Sequence, residues 1–231
     1  MALLLNIETA TSVCSVALSQ DERLVALKEN LQSRSHAESL AFLIEDVFKE
    51  AGLHYSAIDA VAISMGPGSY TGLRIGVSTA KGLCLALEKP LIAIHTLQIM
   101  ARKVSEKYTD SDLGSVLFCP LIDARRMEVY TALYDAHNKE VKACSADIID
   151  TTSFLEVIKN NRVVFFGDGA EKCKAFLKDH GNTIFIDGVF PSAVQMGALS
   201  YEAFSKSEFV DVAYFEPFYL KDFYSPPPKT Q

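Results

Sequence analysis

The chain has 231 residues, 49% of them apolar, and a formal charge of −7. That apolar content builds a substantial core in one domain or two compact lobes, while no apolar run approaches the ~20 residues that a membrane-spanning helix needs. The acidic balance and the lack of a basic run exclude a surface built mainly to grip nucleic acid, because that affinity comes from clustered Lys and Arg.

The opening MALLLNIE has no basic leader and meets Asn6 and Glu8 early, so we expect a cytoplasmic protein without a membrane anchor. Period-two patterns predict strands over Leu3 to Ile7, Val13 to Leu18 and Leu24 to Glu29, which read as a meander. A helix follows: Ser35 and Glu38 form a capping box, Leu40, Leu43, Ile44, Val47, Phe48 and Ala51 make its apolar stripe, and Gly52 ends it. Ala60 to Met65 reads as a buried strand. A glycine-rich turn then leads into a helix reaching about Glu88, and Pro90 punctuates before a strand over Leu91 to Ile94.

A helix predicted over Leu97 to Tyr108 and the polar link TDSDLGS separate this half from the next. Strands are then predicted over Val116 to Ile122, Met127 to Tyr134 and Val141 to Ile148, and a helix over Ser153 to Lys159. A strand at Val163 to Phe166, a helix at Ala170 to Asp179, a strand at Thr183 to Ile186 and a last helix at Ala193 to Phe204 complete the chain before EPFYLKDF and the proline-rich SPPPKTQ, which reads as disordered. The cysteines, Cys14, Cys84, Cys119, Cys144 and Cys173, are odd in number and dispersed, so they read as small core hydrophobes. Arg125-Arg126, the densest basic pair, reads as a solvated turn.

The stretch GPGSYTGLRIGVSTAKGL looks like a phosphate cradle but lacks the spacing. A Walker loop needs Gly-Lys-Ser/Thr, and no lysine precedes Lys81; a dinucleotide fingerprint needs G-x-G-x-x-G, whereas Gly66, Gly68 and Gly72 are one residue too far apart. Ser69 does not sit in G-x-S-x-G either. Within the helix, Gly72, Gly76 and Ala80 recur every fourth residue, and each interior glycine costs about 1 kcal/mol relative to alanine. The pattern implies a close approach by another backbone, belonging either to this chain or to a second protein.

The two halves repeat one order of elements. Glu8 and Asp123 end the first strand of each, and Ala17-Leu18 and Ala132-Leu133 fall at one offset beyond the acid. This is the plan of the actin, Hsp70 and sugar-kinase (ASKHA) superfamily, an α/β fold of two lobes with mixed sheets flanked by helices. We expect an N-terminal lobe over 1–110 and a C-terminal lobe over 111–231, with 216–231 a tail that either returns to the first lobe or is partly disordered. Fold alone assigns no activity.

The combination of LLLNIETATSVCSVAL, HAESL, GPGSYTGLRIGVSTAKGL, LIDARRMEVY and PFYL resembles the bacterial TsaB (YeaZ) family over most of the chain. The resemblance implies a non-catalytic subunit that binds and activates TsaD, the catalytic relative, and works with the ATPase TsaE to install threonylcarbamoyladenosine on tRNA. It implies a homodimer when the chain is alone, and tRNA contact mainly through partners. Any ATP or ADP would lie at an interface shared with TsaE, and no cofactor is otherwise implied.

In TsaD-like proteins a histidine pair binds the metal after the equivalent helix. Counting from Pro90, those positions hold Thr96 and Met100 here, so no metal site is expected. The resemblance favours docking through the two N-terminal helices, with Gly72, Gly76 and Ala80 as the close-approach face, Leu40 and Ile75 as apolar partners and His36 and Arg74 as polar ones. For nucleotide, the candidates are Glu8, Thr9, Asp123, Gly167, Asp168 and Gly169, although Glu8-Thr9-Ala10 and Asp123-Ala124-Arg125 lack the glycine that lets kinase backbones approach phosphate. A small-molecule kinase or ATPase is the alternative function, and a metallopeptidase a weaker one.

Overall fold

A computed structural model describes residues 1–31, 36–108 and 116–221. Ser35 of the expected capping box, the TDSDLGS link and the SPPPKTQ tail lie outside the described residues.

The first half forms β1 (Leu3–Glu8), β2 (Cys14–Gln20), β3 (Arg23–Asn30), α1 (His36–Ala51), β4 (Ala60–Gly66), α2 (Tyr70–Leu87), β5 (Leu91–His95) and α3 (Thr96–Ser105). The second forms β6 (Val116–Asp123), β7 (Glu128–Tyr134), β8 (Glu140–Ile148), α4 (Leu155–Asn160), β9 (Arg162–Phe166), α5 (Ala170–Leu177), β10 (Thr183–Ile186) and α6 (Ala193–Ser205). Two five-stranded sheets result, β3-β2-β1-β4-β5 and β8-β7-β6-β9-β10. In each, the first three strands are antiparallel and the last two join in parallel. The duplicated α/β plan read from the sequence is therefore the fold.

Alternation along β1 divides the first core. Leu3, Leu5 and Ile7 point into a cluster with Leu40, Ile44, Val47 and Phe48 of α1 and Val77, Ala80 and Cys84 of α2. Leu4 points the other way, into a cluster with Met196, Leu199 and Ala203 of α6. Asn6 shares that face and is wholly buried; its amide donates to Ser19 Oγ at 2.9 Å and its carbonyl accepts from Ser200 Oγ at 2.7 Å. Helix α6 therefore belongs with the first sheet, although it arises in the second half. Conversely, α3 sends Leu97, Met100, Ala101 and Val104 into the core of β6, β7 and β9. Helices α4 and α5 cover the opposite face of that sheet.

Beyond α6 the chain runs back over the first half as an extended strap. Val210 pairs with Leu91 at the edge of β5, and Phe218 N donates to Met65 O at 2.7 Å at the end of β4. A side chain at Gly66 would place its Cβ 2.8 Å from Phe218 O, so the strap's closeness depends on the glycine. Lys221 forms an ion pair with Glu128 of β7, so the strap touches both sheets.

Candidate functional site

Helix α2 starts cleanly. Ser69 Oγ accepts from Gly72 N at 3.3 Å as the N-cap, and Glu88 ends the helix in the left-handed region at φ 55°. Its small-residue ridge faces inward. A Cβ added at Gly72 would lie 2.2 Å from the Thr9 carbonyl oxygen, one at Gly76 would lie 2.1 Å from Thr9 Oγ1 and 3.0 Å from Ile63 Cδ1, and Ala80 has no exposed surface. Gly68 repeats the relation with the Ala10 carbonyl at 2.3 Å, and Ser69 N donates to that same oxygen at 2.7 Å. The glycines let α2 lie on the Thr9–Ala10 turn after β1.

The expected docking face is corrected accordingly. Gly72, Gly76 and Ala80 pack against this chain's own strands, and Leu40 is buried in the same core. Ile75 is half-buried against that core. His36, also half-buried, uses its Nε2 to donate to the Thr11 carbonyl at 2.7 Å, fastening the start of α1 to the loop after β1. Arg74 is exposed; its guanidinium stacks 4.0 Å over the Tyr70 ring and its Nε donates to Tyr219 of the strap at 3.2 Å.

What α2 shows to solvent is a different strip: Thr71, Arg74, Ser78, Gly82 and Leu85. Among the described residues nothing lies within 4 Å of a Cβ added at Gly82, and Leu85 is 69% exposed. On the adjoining α1, Phe42 is 67% exposed beside exposed Ala41. The signal available in the sequence was Gly82 itself, a helix-interior glycine out of phase with the four-residue repeat.

The two strand-end acids have unlike fates. Glu8 is completely buried; its Oε1 accepts from Ala10 N at 2.5 Å while Oε2 has no partner among the described residues. Burial pushes its carboxyl up to about 7, against the pull of the Ala10 N–H and the Ser64 hydroxyl. Thr9 is equally buried under α2, with its Oγ1 unpaired among the described residues. Neither side chain is presented to a ligand.

Asp123 is open to solvent, and its Oδ1 accepts from Lys172 Nζ and Arg125 N at 2.5 and 2.6 Å. Lys172 also donates to Glu128 O at 3.1 Å. Asp168 accepts from Asp123 N at 2.9 Å through Oδ1; burial raises its carboxyl's pKa and that hydrogen bond lowers it. Gly167, at φ 106°, is forced by Leu121 O, 2.2 Å from where its Cβ would sit, and Gly169 packs under Val129. So Asp123 and the Gly167-Asp168-Gly169 turn do meet, around a lysine. Glu8 and Thr9 lie elsewhere, beneath α2.

Concavities of about 440 and 320 Å³ open on the surface, one between α4 and residues 180–182, the other beside α6. Neither is lined by the six nucleotide candidates. His95 caps the junction of β5 and α3, with its ring edge-on to Phe218 at 5.3 Å, and burial lowers its pKa. Thr96 and Met100 are both buried. Among the described residues no three His, Cys, Asp or Glu side chains gather as a metal-holding group, and no described helix is long and apolar enough to cross a membrane.

The family model for TsaD, tRNA N6-adenosine threonylcarbamoyltransferase, matches residues 29–221. The tRNA threonylcarbamoyladenosine biosynthesis protein TsaB of Escherichia coli (strain K12) is 32% identical over 227 residues, covering 95% of this chain and 94% of the relative. The chain belongs to the TsaB family. The structure of YeaZ from Pseudomonas aeruginosa superposes with a TM-score of 0.77 at 27% identity, covering 95% of this chain and all of that one. The tRNA N6-adenosine threonylcarbamoyltransferase of Bacillus subtilis (strain 168) is 36% identical over 88 residues, 38% of this chain. TsaB and TsaD relatives thus share sequence with this chain. An ADPNP-bound activator of 2-hydroxyisocaproyl-CoA dehydratase from Clostridium difficile superposes at TM-score 0.51 with 11% identity, a likeness of fold alone.

Proposed function

We propose that this TsaB-family chain is a non-catalytic subunit of tRNA threonylcarbamoyladenosine biosynthesis that docks a TsaD-type transferase through the exposed face of α2 and the neighbouring surface of α1. The observation that carries this reading is Gly82. An exposed glycine inside a helix costs about 1 kcal/mol relative to alanine, and no group among the described residues lies within 4 Å of where its Cβ would sit. Leu85 on the same helix and Phe42 on the adjoining α1 leave large apolar side chains in water. A second helix approaching along Gly82 would recover that cost by close packing.

The acid sites support a subunit without chemistry of its own. Lys172 already neutralises Asp123, and Glu8 is sealed under α2. In this reading, residues 1–110 supply the docking lobe, the same face pairs two copies when the chain is alone, and a TsaE-type ATPase brings any ATP or ADP to a shared interface in the cytoplasm. tRNA is held mainly by the partners, in keeping with the charge of −7.

The test is pairing with a purified TsaD-type partner, followed by calorimetry and gel filtration. Both positions are open, so Leu85→Arg should abolish association while the monomer melts as wild type, and Gly82→Leu should abolish it while the monomer melts slightly above wild type through its gain in helix propensity. Wild-type association by both variants would refute the docking face. ATP turnover by the isolated chain, lost in Lys172→Ala or Asp123→Ala, would refute the non-catalytic reading.

A further inference from the structure

The strap presents one aromatic side chain that packs on little of its own molecule. Tyr214 is 86% exposed. Its backbone is nevertheless held from both sides. The Asp211 carboxylate accepts from Ala213 N and Tyr214 N at 2.8 and 3.2 Å, and Phe215 N donates to Asp211 O at 2.8 Å. Lys81, from α2, donates its Nζ to the carbonyls of Ala213 and Phe215 at 3.0 and 3.2 Å, on either side of the tyrosine. A ring left in water on an ordered backbone has little conformational freedom to lose on binding, and tyrosine is enriched among the residues that dominate interfaces.

Its position matters as much as its exposure. The strap follows the α2 ridge of Tyr70, Arg74 and Lys81: Tyr219 lies against Tyr70 with ring centroids 5.1 Å apart, and Arg74 and Lys81 bond to strap atoms. At 3.6 residues per turn that ridge adjoins Thr71, Ser78, Gly82 and Leu85, the exposed strip. The strap therefore borders the docking face along its length.

We propose that Tyr214 is an anchor of that docking surface, seated in a pocket of the TsaD-type partner, and that Lys81 and Asp211 are the positioning residues that present it. This rests on the reading of α2 as the docking face. Charge complementarity supports that occupant. Helix α1 carries Glu38, Glu45, Asp46 and Glu50 against a single Lys49, whereas α2 carries Arg74 and Lys81 and no acid. The TsaD family model matches this chain over 29–221, a span that includes both helices, so a TsaD-type partner would bring an equivalent pair to meet them, and carboxylates on its facing helix would complement Arg74.

The experiment measures affinity for the purified TsaD-type partner by calorimetry, with hydrogen exchange on the full chain. Tyr214→Ala should melt as wild type and bind at least tenfold more weakly. Lys81→Met should speed exchange of the amides at 213–216 and weaken binding severalfold, since it frees the turn without touching the ring. Wild-type affinity in Tyr214→Ala, when Leu85→Arg no longer binds, overturns the anchor and leaves the docking face standing. Wild-type affinity in all three variants overturns the docking face and the anchor with it.

Discussion

Two chemically identical substitutions on α2 should act in opposite directions. At Gly72 an added methyl lies 2.2 Å from the Thr9 carbonyl oxygen and 3.1 Å from His36 Cδ2. A carbonyl cannot rotate away as a side chain can, and this turn is pinned by the hydrogen bond from Ser69 N to Ala10 O at 2.7 Å. Overpacking of this kind costs about 1–3 kcal/mol, and the gain in helix propensity, at most about 1 kcal/mol, is small at a residue in the first turn. We expect Gly72→Ala to lose about 2 kcal/mol. At Gly82 the methyl meets nothing within 4 Å among the described residues, so Gly82→Ala should gain about 0.5–1 kcal/mol. For a chain of this size each kcal/mol moves the melting temperature by about 2–4 °C. Melting followed by circular dichroism, with urea titration as a second measure, should therefore place the two variants on opposite sides of wild type. A Gly72→Ala protein as stable as wild type would refute the claim that the ridge is used internally. A destabilised Gly82→Ala would remove the argument that its glycine answers to a partner.

Other outcomes follow from the buried polar groups. Glu8 has its folded pKa raised from the ordinary 4.5 to about 7, so its contribution to stability is fully present below about 4.5 and is lost as pH rises through about 7. The ionised carboxylate costs about 3 kcal/mol by pH 8. Glu8→Gln keeps an acceptor for Ala10 N and does not titrate, so its stability relative to wild type should rise by about that amount between pH 5 and pH 8; urea unfolding that gives the same difference at both values would contradict the burial argument. Ser200→Ala removes the donor to Asn6 Oδ1 inside the contact between β1 and α6, and should cost about 1–3 kcal/mol. A neutral Ser200→Ala, measured by the same unfolding titration, would mean that the buried amide finds another partner.

The duplicated order of elements was legible because it is written in local chemistry. Alternation in β1, the apolar run of β4, the apolar stripe of α1 and the punctuation at Gly52 and Pro90 each act within a few residues, and the two copies corroborate one another. The docking ridge was misread for a specific reason. Gly72, Gly76 and Ala80 declare a close approach, and they do so identically whether the approaching backbone is Thr9 of the same lobe or a helix of another protein. The assignment of α6 to the first sheet, the strap over α2 and the pairing of Lys172 with Asp123 join residues far apart in sequence, and no periodicity reports such pairs.

By itself the sequence determined two strand-rich halves of one plan, the helices that flank them, and a family resemblance that the comparisons bear out. Only the tertiary structure decided which side of α2 faces the core, which acid is sealed and which is neutralised, and which exposed residues border the strap. Periodicity measures the spacing of side chains around an axis, whereas burial depends on the phase of that axis against distant strands, a quantity that exists only once those strands are packed together.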